Sequence, residues 1–254
     1  MGEKYLTINE MNIHYIDEGE GPNMLLLHGW GQNTVMMREI QETFSSAFRV
    51  INIDFPGFGK SDPPKEAWSV SDYEKFLKKF LQLLNMQKVI IVAHSFGGRV
   101  AIKLASDSPE LVDKLILTGA AGIRAKVNLK AKIRTYFYKL GKFYLQKSGQ
   151  LAKLERYQNS RGSADYKAAK GIMKPTLVKV VNEDLLPLLP HIVCDTLLVW
   201  GELDQAVPLW MGEKMAKLIP HATLIVFAKQ DHFAYWHEAK RFNNVIQSFL
   251  GGNK

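Results

Sequence analysis

Apolar residues along the chain follow two kinds of pattern. Short, nearly unbroken apolar runs recur at residues 24–28, 49–54, 88–93, 115–118, 197–200 and 222–227. None alternates apolar with polar, as expected of strands in a parallel sheet covered on both faces. Ahead of them, residues 5–8 and 11–16 read as an antiparallel hairpin on the sheet edge. Between the runs the period changes. Tyr73, Phe76, Leu77, Phe80, Leu81 and Leu84 fall on one helical face, and Ser71-Asp-Tyr-Glu74 ahead of them reads as a capping box. Phe242, Val245, Ile246 and Phe249 define a last helix over 238–250, stopped by Gly251-Gly252. Alternating strand and helix implies an α/β layer architecture. The rhythm breaks once, over roughly 124–185, which reads as helical and strand-free. The expected organisation is a core of residues 1–123 and 186–254 with a helical cap, 124–185, inserted into it.

Charge sharpens that division. The net charge of +8 is unevenly placed: residues 124–180 hold 15 Lys or Arg against Glu155 and Asp165, leaving a mildly acidic remainder. In the insertion, Ile133, Tyr136, Phe137, Leu140, Phe143 and Tyr144 form an aromatic face, while Lys130, Lys132, Arg134, Lys139, Lys142 and Lys147 crowd the rest. Three accounts stand side by side: a solvated cationic face packed by its aromatic side, an attractor for an anionic substrate, or contact with an anionic membrane surface. No nucleic-acid motif accompanies the charge. The start Met1-Gly-Glu-Lys-Tyr-Leu lacks the pattern of a secretory signal, and no apolar run reaches the ~18 residues of a bilayer span. The expectation is cytoplasmic. The single cysteine, Cys194, opens an apolar run and reads as a buried, inert thiol. No HExxH, HxxE or Cys cluster suggests a metal site, and no cofactor is expected.

The candidate chemistry sits where runs end. Ala93-His-Ser-Phe-Gly97 joins an apolar run to a helix pattern, a turn that needs small residues on both sides of its serine. On this motif alone Ser95 is either a helix N-cap or a nucleophile. His28-Gly-Trp-Gly31 follows another run and can aim the Trp30 amide into the same pocket as the Phe96 amide, giving two donors for an oxyanion. His28 itself reads as a prop for that loop. Asp204 and His232 follow the last two runs, in the order serine, acid, base. Glu202 and Asp231 are expected to lie off the site, and Gly119-Ala-Ala-Gly-Ile123 offers no alternative acid. Arg99, one turn beyond Ser95, is a candidate carboxylate anchor or a helix-surface charge.

His28-Gly-Trp-Gly31, Asp54-Phe-Pro-Gly-Phe-Gly-Lys-Ser61, Ala93-His-Ser-Phe-Gly-Gly98, Trp200-Gly-Glu-Leu-Asp204 and Asp231-His232 together resemble the α/β-hydrolase fold family, over about residues 5–250. The resemblance implies a mostly parallel eight-stranded sheet flanked by helices, with an inserted helical cap. It implies Ser95, Asp204 and His232 as a catalytic triad, the Trp30 and Phe96 amides as oxyanion hole, and residues 54–61 as a structural loop. Ala93 departs from the usual glycine but is small enough to fit. Serine as nucleophile excludes the dehalogenase and epoxide hydrolase subclasses, which use aspartate there. The basic cap argues against proline iminopeptidases, whose caps are acidic. The first expectation is a carboxylesterase acting on a small or medium acyl ester through an acyl-enzyme on Ser95. The alternatives are a C–C bond hydrolase or lyase of a carboxylate-bearing substrate, and a non-catalytic ligand-binding member of the fold. Arg99 and the side chains of Trp30 and Phe96 are the candidate substrate contacts.

Overall fold

The structure, a computed structural model, describes residues 2–124 and 163–251, together with Lys147, Gln150 and Lys153. The aromatic face of the insertion and the cations from Lys130 to Lys142 lie outside these residues. Eight strands form one sheet in the order β1-β2-β4-β3-β5-β6-β7-β8. β1 (Glu3–Ile8) and β2 (Met11–Glu18) make the antiparallel edge hairpin, and β2 continues antiparallel onto β4 (Arg49–Ile53). β3 (Asn23–Leu27), β4, β5 (Val89–His94), β6 (Val112–Thr118), β7 (Asp195–Gly201) and β8 (Ala222–Phe227) run parallel.

The absence of polar alternation has a direct cause. Leu25, Leu27, Ile91, Ala93, Leu115 and Leu117 belong to one apolar cluster, while Met24, Leu26, Ile90, Val92 and Ile116 belong to another on the opposite face. Side chains alternate, but both faces are buried. Helices α2 (Val70–Leu83), α3 (Phe96–Asp107) and α6 (Leu209–Leu218) pack on the first cluster. Helices α1 (Arg38–Phe44) and α8 (Ala239–Gly251) pack on the second, and the short α7 (Ala234–His237) precedes α8. In the insertion between β6 and β7, α4 (Ala164–Ala168) and α5 (Met173–Asn182) are described, followed by a 3-10 turn at Leu186–His191.

One local expectation is corrected. The capping box of α2 is Ser69 with Asp72, not Ser71 with Glu74: the Asp72 amide donates to Ser69 Oγ and the Ser69 amide to Asp72 Oδ2. The sequence carries two overlapping boxes, and burial of Val70 starts the helix at the earlier one. The last helix, Ala239–Gly251, reaches the glycine pair expected to stop it. Cys194 lies just ahead of β7, half-buried, and burial pushes its thiol up, consistent with an inert side chain. Among the described residues no helix is long and apolar enough to cross a membrane.

Candidate active site

Parallel strands bring their carboxyl ends to one edge of the sheet, and that is where the candidate residues meet. Beyond β5, Ser95 adopts φ 49°, ψ −106°, a conformation a non-glycine residue holds only under constraint. Ser95 occupies the N-cap position of α3, but its side chain makes no capping hydrogen bond, so capping does not account for the serine. The turn is closed by the Ser95 amide donating to Thr118 O (3.1 Å) and the Gly97 amide to His28 O (3.1 Å). A Cβ at Gly97 would collide with the Leu27 and His28 carbonyls, which is why the elbow passes through glycine there.

Beyond β3, His28 is fully buried and bridges two loops. Its Nδ1 donates to Gly29 O (2.7 Å), and its Nε2 accepts from the Phe55 amide (3.0 Å). Burial pushes its pKa down to about 4, with the Gly29 carbonyl and Asp54 acting the other way, so it is a neutral prop at physiological pH. Gln32 Oε1 accepts from the Gly29 amide (2.9 Å), tying the loop back on itself. Among the described residues no hydrogen bond engages the Trp30 or Phe96 amide.

Beyond β7 and β8, Asp204 and His232 meet: Asp204 Oδ2 is 2.8 Å from His232 Nδ1. The other carboxylate oxygen accepts from the Ala206 and Val207 amides (2.9 and 2.8 Å), and the carboxylate is buried. The backbones of these two loops lock through the Leu203 amide and Gln230 O (2.8 Å). The rejected carboxylates point away as expected. Glu202 accepts from the Lys229 amide, while Asp231 accepts from the Phe233 amide and pairs with His237.

Ser95, His232, Trp30, Phe96 and Arg99 line one cleft of about 410 Å³. Among the described residues no Ser95–His232 hydrogen bond is formed; such contacts tighten when substrate binds. Arg99 is buried rather than a surface charge: 7% exposed, it donates from Nη1 to Glu183 O (2.9 Å) and forms no ion pair among the described residues. Burial pushes its pKa down to about 10, opposed by Glu183 and Asp184, so it remains a cation at neutral pH.

Two residues of the site carry no sequence signal. Gly119, at φ 49° beyond β6, passes so close that a Cβ there would lie 3.0 Å from His232 Nδ1 and 3.2 Å from Asp204 Oδ2. His94 is fully buried, with Nδ1 donating to Thr118 O (3.1 Å) and its ring 4.7 Å from that of His232. Burial and the neighbouring His232 hold its pKa well below the ordinary histidine range.

Comparison with known proteins agrees with this fold. The family model for the alpha/beta hydrolase fold matches residues 22–239. A 2-hydroxy-6-oxononadienedioate/2-hydroxy-6-oxononatrienedioate hydrolase of Cupriavidus pinatubonensis is 30% identical over 95% of this chain and 91% of its own length. A 2-hydroxy-6-oxo-6-phenylhexa-2,4-dienoate hydrolase of Burkholderia cepacia is 30% identical over 97% of this chain and 96% of its own. The solved structure of a meta-cleavage product hydrolase from Pseudomonas fluorescens superposes with a TM-score of 0.76 at 26% identity, covering 99% of this chain and 98% of that one. With its sheet order, its elbow at Ser95 and a helical cap inserted between β6 and β7, the chain belongs to the α/β-hydrolase fold family.

Proposed function

We propose that this protein is a serine hydrolase that cleaves a carbon–carbon bond beside a ketone in a carboxylate-bearing substrate. The observation that carries the reading is the shared cleft, which holds a strained serine, a carboxylate-oriented histidine and a buried arginine that forms no ion pair among the described residues. Ser95 Oγ attacks the ketone and passes its proton to His232. Asp204 holds the imidazole in the required tautomer and stabilises the imidazolium. The Trp30 and Phe96 amides receive the oxyanion. Collapse of the adduct breaks the carbon–carbon bond, and His232 protonates the departing carbon. Water, deprotonated by His232, then releases the acyl group from Ser95.

A carbon leaving group needs an electron sink. The 2-oxo tautomer of a 2-hydroxy-2,4-dienoate, formed when the 2-hydroxyl loses its proton and the carbon beside the ketone gains one, supplies it. Arg99 gives such an acid its partner. It stands four residues past Ser95, about 6 Å along the helix axis, and helical side chains lean back towards the N-terminus. In a 2-hydroxy-6-oxo acid, five bonds of about 1.5 Å separate the carboxyl carbon from the ketone, on the order of 6 Å in extended form. The names of the relatives favour this alternative over the carboxylesterase first expected from the sequence. An ester would pass through the same acyl-enzyme.

Steady-state kinetics on 2-hydroxy-6-oxo-6-phenylhexa-2,4-dienoate and on a neutral p-nitrophenyl ester test the reading. The anionic ketone should be the better substrate by kcat/KM. Arg99→Gln should raise its KM roughly ten- to a hundredfold, the worth of one charge-assisted contact, while changing the neutral ester little. A neutral ester preferred by kcat/KM, or an equal effect of Arg99→Gln on both, contradicts it.

A further inference from the structure

Relatives named for a dioate and for a phenyl-substituted monoacid match this chain equally well, at 30% identity each. Whether a second carboxylate is accepted is therefore a property of the cleft itself. Among the described residues that line the cleft, two side chains carry a fixed charge: Arg99, from α3, and Asp165, from α4 of the cap.

These two charges do not neutralise each other. The charges that bear on Arg99 are Glu183, Asp184 and Arg124, and no ion pair joins it to Asp165. Their surroundings differ as well. Asp165 lies with Trp30 and Gln32 on the rim that the cleft shares with an adjoining hollow, and Arg99 lines the cleft only. The other carboxylates around the site are occupied. Asp204 holds His232 and two amides, Glu183 takes the Val70 amide and Ser71 Oγ, and Asp184 takes the Arg124 and Leu186 amides. Asp165 is exposed, and among the described residues its carboxylate has no hydrogen bond and no ion pair, although Lys167 and Lys170 are close in sequence. Its place in the first turn of α4 suits an acid, through the partial positive charge of a helix N-terminus. That accounts for some stability and predicts nothing about substrate charge.

We infer that Asp165 is a specificity-determining residue: the cleft takes a monocarboxylate, held at Arg99, and disfavours a second carboxylate at the other end, where Asp165 repels it. An uncharged end passes the same carboxylate without that repulsion. The inference rests on the proposed function for the carboxylate held at Arg99, so the test reads binding rather than turnover.

Calorimetric titration of the Ser95→Ala protein with nonanedioate and with its monomethyl ester isolates one charge at constant chain length. Asp165→Asn in that background should tighten nonanedioate relative to the half-ester by roughly three- to thirtyfold, the effect of removing one like charge several ångströms away at a partly exposed site. Asp165→Lys should shift the ratio further in the same direction. Because Asp165 is exposed, raising the salt should move the ratio measured with Asp165 present towards that of Asp165→Asn. An acid that serves only the helix N-terminus would alter urea stability in Asp165→Asn and leave the affinity ratio where it was. That result, or a ratio unmoved in Asp165→Lys, overturns the inference. Failure of the proposed function would show differently, as affinities for both ligands that Arg99→Gln leaves unchanged.

Discussion

Both oxygens of the Asp204 carboxylate are engaged, one by His232 Nδ1 and the other by two backbone amides, so the acid has one position and one partner. In the proposed reaction its charge is needed only when His232 becomes an imidazolium. Asp204→Asn should therefore lower kcat by about 10⁴ while changing KM by only a few-fold, measured on whichever substrate the wild type prefers. Loss confined to KM would place Asp204 outside the chemistry. Ser95, Asp204 and His232 were legible in the sequence because each follows an apolar run in a short, recognisable string. Gly119 and His94 were not. Their importance comes from proximity across neighbouring strands, to side chains from the β7 and β8 loops, and no local pattern encodes that. Arg99 was legible as a charge near the serine, but its burial and its contact with Glu183 O, 84 residues away, were not.

Strands and helices were readable where period and burial agree, which is nearly everywhere in the sheet. The start of α2 was misread because two serines two residues apart each have an acid three positions on. The neighbourhood decides between them. Ser69 and Asp72 cap each other, while the Val70 amide and Ser71 Oγ are turned to Glu183, at the end of α5. The same stretch is tied to the insertion by the Trp68 amide on Thr176 Oγ1 and by Lys179 Nζ on Ala67 O. These pairings join the cap to the core and span more than 100 residues, beyond the reach of any local pattern. Ser69→Ala should cost about 1 kcal/mol of stability by urea unfolding, and Ser71→Ala, whose side-chain hydrogen bond to Glu183 Oε1 is long at 3.4 Å, clearly less. The reverse order would restore the original box.

At the scale of the whole molecule, a sheet buried on both faces leaves its polar chemistry at one edge, and that edge contains two buried neutral histidines. His28 and His94 refuse a proton in the folded state that the unfolded chain accepts below about pH 6.5. The unfolded state then binds more protons, so stability must fall as pH drops from about 6.5 towards 4, by up to about 1.4 kcal/mol per pH unit for each histidine. Urea midpoints taken between about pH 7.5 and 5 should show this decline, and it should be shallower in His94→Asn. A slope identical in the variant would mean that His94 titrates normally.

The nucleophile is the claim on which the rest depends, and covalent labelling reads it directly. A fluorophosphonate probe reacts with an activated serine and with little else. Mass spectrometry of the labelled wild type should find one adduct, on the peptide containing Ser95, and Ser95→Ala should neither label nor hydrolyse substrate. Wild-type protein that stays unlabelled, an adduct on another residue, or hydrolysis that survives in Ser95→Ala would contradict the account.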